Sequence, residues 1–60
     1  MAEADRRRFA DNLQGEVDGI ALYSALAEIE PEPTLAEIYR RLAAAEDRHA
    51  GIWRRKLAEL

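Results

Sequence analysis

The stretch "EIEPEPTLAE", residues 28–37, decides the fold, because Pro31 and Pro33 stand two positions apart inside a chain that is otherwise helical in pattern. Proline has no backbone N–H, and its ring clashes with the preceding helical turn, so no continuous helix passes through this segment. The chain must fold back there. Beyond the prolines, Thr34 stands three residues before Glu37, the capping-box spacing, which predicts a second helix opening near Leu35 with Thr34 as its N-cap. The pattern predicts helices over about residues 5–30 and 35–59, joined by a turn at 31–34.

Working outward, the first helix repeats apolar residues through Phe9, Leu13, Ile20, Tyr23 and Ala27, with Val17, Leu22, Leu26 and Ile29 widening the surface beyond one stripe. The second does the same with Leu35, Ile38, Tyr39, Leu42, Ala45, Ile52, Trp53 and Leu57. A hairpin offers each helix one partner face, so the surplus calls for another chain. The expected fold is all-α: a single domain over 1–60, an antiparallel two-helix hairpin that dimerises into a four-helix bundle.

Composition agrees with that reading. Sixty residues with 48% hydrophobic, 35% charged and no cysteine describe a globular unit without disulfide staples, too small to be stable with ease alone. A net charge of −3 argues against a nucleic-acid module, which would present a basic face; "RRR" at 6–8 and "RRK" at 54–56 read as solvated helix ends, the second suited to the negative end of a helix dipole. No apolar run is long enough to span a membrane, and a cytoplasmic setting is the default expectation.

Three polar residues break the packing pattern. Glu16 lies seven residues after Phe9 and seven before Tyr23; Glu46 lies seven after Tyr39, with His49 one turn further on, just before Trp53. Zipped from the turn at about 1.5 Å per residue, Glu16 and Glu46 fall at roughly 21 and 18 Å, nearly one level. Tyr23 and Tyr39 match as a second layer. Two carboxylates in a core, with one imidazole beside them, are costly unless paired or bound to a cation. Two readings are open: salt bridges to arginines at a bundle edge, or a metal. Oxygen ligands with one imidazole suit iron or manganese, and a two-fold axis doubles the set to four carboxylates and two imidazoles, the constellation of di-iron bundles.

"GEVDGIALY" (15–23), followed thirty positions after its glutamate by "EDRH" (46–49), resembles the ferritin-like superfamily, and most closely its rubrerythrin-type and encapsulated-ferritin-type half-bundles. The resemblance implies iron ligation by Glu16, Glu46 and His49, with Tyr23 as a neighbour of the metal; Tyr39 and Trp53, by their positions beside the cluster, are further candidates for the surrounding shell. It implies two irons per dimer, with manganese or zinc as substitutes, and oxidation of Fe(II) by oxygen or peroxide, a ferroxidase serving iron storage or detoxification. The stretch "ALAEIEPEPTLAEIYRRLAAAEDRHAGIW" (25–53) is also similar in style to rubrerythrin-like domains at the N-terminus of vacuolar-iron-transporter-like proteins. That likeness implies a tether to a membrane transporter, and the encapsulated type implies housing in a protein compartment and a ring-like oligomer.

The residues themselves keep rivals in view. Tyr23 and Tyr39 fit equally well as amphipathic rings at a bundle seam, Trp53 as a core ring, and Gly15 and Gly19 as positions of tight packing or as room for a metal. Asp11, Asp18 and Asp47 are expected to face solvent or make salt bridges. The competing functions are a metal-independent assembly module and a rubrerythrin-type peroxide reductase; the second needs an electron donor that a chain without cysteine does not supply.

Overall fold

The computed structural model describes residues 2–60 and contains two helices, α1 (Ala2–Ile29) and α2 (Pro33–Ala58), packed antiparallel as a hairpin. The turn is shorter than the capping-box reading predicts. Glu32, extended at φ −88° and ψ 116°, is the N-cap of α2, and its carboxylate accepts a hydrogen bond from the Leu35 amide at 2.9 Å. Proline fits the first helical position, where its fixed φ is already helical and its missing N–H needs no partner. Pro33 therefore starts α2, and Thr34 is absorbed into the first turn instead of capping it. Glu37, freed from a capping role, pairs with Arg40 at 2.9 Å and Arg41 at 3.5 Å, and these guanidinium groups hold its carboxyl below the usual range.

At the other end, the first two turns of α1 carry Arg6–Glu3 and Arg8–Asp5 pairs at 2.9 and 3.3 Å, while Arg55 and Lys56 occupy the last turn of α2 beside its negative dipole end. The seam between the helices is thin. Ala36, Ala43 and Ala50 recur at seven-residue spacing on α2 and let the backbones approach; among the described residues Ala36 and Ala50 are the buried ones. Aromatic layers brace it above and below the centre: Phe9 on Trp53 with ring centroids 5.7 Å apart, and Tyr23 stacked on Tyr39 at 6.5 Å and 19°. The tyrosine layer is the one that counting from the turn predicts.

A radius of gyration of 14.0 Å compares with about 10.4 Å for a compact chain of this length, and the backbone extends 47 Å along the hairpin. Among the described residues such a rod encloses no large side chain. Val17, Leu22, Ile29, Ile38, Leu42 and Ile52 are exposed on its helices, which is the apolar surplus the sequence shows. Among the described residues, no helix is long and apolar enough to cross a membrane.

Candidate metal centre

Glu16 stands at the middle of α1, and Glu46 and His49 stand at the middle of α2. The hairpin brings them together. His49 Nδ1 lies 3.6 Å from Glu16 Oε2 and 3.9 Å from Glu46 Oε1, and one ligand atom from each of the three falls within 4.8 Å of the others. Uniform helical rise sets the level of each residue, and the 3.6-residue turn sets its face, so both carboxylates arrive at the seam between the Phe9–Trp53 and Tyr23–Tyr39 layers.

The glutamates are largely covered, with side-chain exposures of 20% for Glu16 and 26% for Glu46, while His49 is half exposed. The Glu16 carboxylate beside Glu46 holds the Glu46 carboxyl above the usual carboxylate range, with burial adding to the effect and His49 opposing it. Two carboxylates this close stay together most readily by sharing a proton or a cation. The arginine reading is not realised: among the described residues no Arg or Lys lies within 4.0 Å of either glutamate, and Arg6, Arg8, Arg40 and Arg41 pair within their own helices.

Gly19 has a structural reason that counting along the chain does not reveal. A Cβ there would overlap Glu46 Oε2 and lie 3.1 Å from its Cγ and Cδ, so the glycine provides the notch that holds the Glu46 side chain against α1. Gly15 differs: a Cβ there would meet nothing within 4 Å. Trp53 packs on Phe9 and also lines the cleft beside Glu16 and Glu46, together with Gly15, Asp11 and Asn12. Asp11, expected to face solvent or make salt bridges, is exposed and borders this cleft; Asn12 is a lining residue that sequence reasoning does not single out. Its position four residues before Glu16, one turn along the same face, was the available signal.

A rubrerythrin family model matches residues 9–60, spanning both helices and all three residues of the cluster. The chain belongs to the rubrerythrin family. Neither the curated proteins nor the solved structures gave a significant match. Rubrerythrin-family proteins are di-iron redox proteins and typically oligomeric, and a cluster of two carboxylates and one imidazole fits a ferritin-like iron protein. The donor chemistry agrees on independent grounds: hard carboxylate oxygens with a single imidazole suit iron or manganese better than soft-metal sites.

Proposed function

We propose that this rubrerythrin-family chain oxidises Fe(II) at a di-iron centre completed by a second copy, for iron storage or detoxification. The observation that carries the reading is the Glu16–Glu46–His49 cluster, whose paired carboxylates have, among the described residues, no Arg or Lys partner and only His49 beside them. One chain offers two carboxylates and one imidazole, half of the four-carboxylate, two-histidine set that holds two irons in bundles of this kind.

Within the proposal, each residue has a task. Glu16 and Glu46 would hold iron in either oxidation state and balance its charge. His49 turns Nδ1 toward them and binds through that nitrogen, leaving Nε2 for an outer acceptor. Metal would bind the deprotonated carboxylate, and the Glu16 carboxylate beside it holds the Glu46 carboxyl above the usual range, so binding would weaken in acid. The Phe9–Trp53 and Tyr23–Tyr39 ring pairs flank this level on either side along the rod. Held by Glu16, Glu46 and His49 and their copies, iron would supply one-electron Fe(II)/Fe(III) chemistry, two ions together giving the two electrons that, with two protons, reduce O2 to H2O2 or H2O2 to two waters.

The test is aerobic addition of Fe(II), followed by ferric absorbance and iron content, with about two irons per dimer expected. Glu46→Ala and His49→Ala should each abolish the fast phase; undiminished oxidation in both would sink the proposal. The exposed apolar side also favours a second reading, an assembly module that dimerises without metal. On that reading iron would change neither oligomeric state nor melting temperature. Turnover with peroxide compared with oxygen, with and without a reductant, separates a peroxide reductase from a ferroxidase.

A further inference from the structure

The tyrosine layer holds chemistry that the metal cluster leaves unused. Tyr23 stands seven residues after Glu16 on α1, and Tyr39 seven before Glu46 on α2, so both rings lie about 10 Å along the rod from the carboxylate level, toward the turn. Their centroids are 6.5 Å apart and their planes 19° from parallel, an offset stack that brings ring edges closer than ring centres. Both residues are half-buried, yet neither hydroxyl is a buried atom without a partner, and among the described residues neither hydrogen-bonds another protein group. Each hydroxyl therefore reaches water. Phe9 and Trp53, at the same interval on the other side of the cluster, lack this symmetry, because Phe9 carries no hydroxyl.

We propose that Tyr23 and Tyr39 are an oxidative modification site, joined by one dityrosine bond within the chain when hydrogen peroxide is reduced at the Glu16–Glu46–His49 cluster. The inference rests on the iron reading above for its source of oxidation and adds the residues that are oxidised. Each phenol loses one electron and one proton, and the two phenoxyl radicals couple through the ring carbons beside their oxygens. One C–C bond forms, and the hydrogen on each coupling carbon moves to the oxygen, restoring both hydroxyls. The two electrons and two protons convert one H2O2 to two waters, so the sum is two tyrosines and one peroxide to one dityrosine and two waters. Cluster and rings need not touch for this, since electrons tunnel across a gap of that length while the protons leave separately to water.

The hairpin favours coupling within the pair over reaction elsewhere. Antiparallel packing holds both rings at one level, so a radical on one finds its partner already stacked against it. The stack lies in the seam between the helices, which keeps the tyrosines of other molecules away, and the chain has two tyrosines in all. Cysteine, which would give up electrons more readily, is absent. Trp53, the other readily oxidised ring, stacks on Phe9, which cannot share the loss. The bond would tie α1 to α2 across the Pro31–Pro33 turn and restrict the unfolded chain, as a disulfide closing the same loop does.

The test has two arms. In one, the metal-free protein is irradiated with tris(bipyridine)ruthenium and persulfate, an oxidant that needs no iron; in the other, the Fe(II)-loaded protein receives excess hydrogen peroxide without air. Dityrosine fluorescence and mass spectrometry after cleavage at glutamate read both. Glu28, Glu30, Glu32 and Glu37 lie between the two tyrosines, so a cross-link alone keeps the two fragments joined, together lighter by two hydrogens. A cross-link within the chain is expected in both arms and lost from both in Tyr23→Phe and in Tyr39→Phe, whereas Glu46→Ala should lose it with iron and keep it under light. No cross-link under light, links between chains, or oxygen added to the rings instead overturns the proposal. An undiminished iron-driven cross-link in Glu46→Ala overturns it as well, since unbound iron would then be the source. A cross-link under light but none with iron also overturns it, and ferric absorbance in that sample separates the causes: present, the iron reading stands without the tyrosines; absent, the iron reading falls too.

Discussion

Replacing Gly19 by alanine separates the stability of the hairpin from the integrity of its metal cluster. In a helix interior, Gly→Ala gains about 1 kcal/mol of backbone propensity. Here the new Cβ would collide with Glu46 Oε2 and crowd its Cγ and Cδ, which lie 3.1 Å from the Cβ position. The flexible Glu46 chain can swing away, so the fold survives, but the carboxylate leaves the pocket it shares with Glu16 and His49. With metal at a hundred times its dissociation constant, binding to the folded state stabilises by about 2.7 kcal/mol. For a chain of this size that raises the melting temperature by about 11–22 °C. If displacing Glu46 weakens affinity about 10–100-fold, as lesser disturbances around metal ligands do, the stabilisation falls to about 0.4–1.4 kcal/mol at the same metal concentration. The shift then shrinks to about 2–11 °C. Thermal melts by circular dichroism, with and without anaerobic Fe(II) at one chain concentration, read both effects. Gly51→Ala is the control: its Cβ would make an ordinary 3.6 Å contact with Arg55, so it should gain stability and keep the full metal-induced shift. A Gly19→Ala variant with the full shift would refute the claim that Gly19 holds Glu46 in place.

Two further outcomes follow from the electrostatics and the turn. The Glu46 carboxyl is raised above its ordinary 4.5 in the folded chain, so the metal-free fold loses stability as pH rises from 4.5 through that raised value and is relieved below it. Glu46→Gln should therefore melt higher than the unsubstituted metal-free chain at pH 7, with the gap closing toward pH 4.5; a gap independent of pH would contradict the shared-proton account. Glu32→Ala removes the carboxylate that accepts from the Leu35 amide and should cost about 1 kcal/mol, measurable in a urea titration, whereas Thr34→Ala should cost much less.

The hairpin and the cluster were legible in the sequence because both depend on local rules. Pro31 and Pro33 interrupt any helix, and constant rise and turn per residue bring Glu16 level with Glu46 and Tyr23 level with Tyr39 by counting alone. The N-cap was misplaced because Thr34 and Glu37 form a convincing capping box, and Pro33 at the first helical position is a rival signal that wins by already having helical φ. Asp11 is exposed, as expected, and also lines the cleft beside Glu16, while Asn12 is a residue whose chemistry in isolation marks no site and to which only that cleft gives a place.

The sequence by itself determined that two amphipathic helices fold back on each other with two carboxylates and an imidazole at mid-height. Only the tertiary structure decided how α1 is rotated against α2, and with it which glycine holds Glu46, which side of the rod stays apolar, and that among the described residues no arginine reaches the acidic pair. The physical reason is that residue counting specifies position along and around one helix. The lateral fit between helices arises from the shapes of side chains distant in sequence, here a missing Cβ at Gly19 against the carboxylate of Glu46.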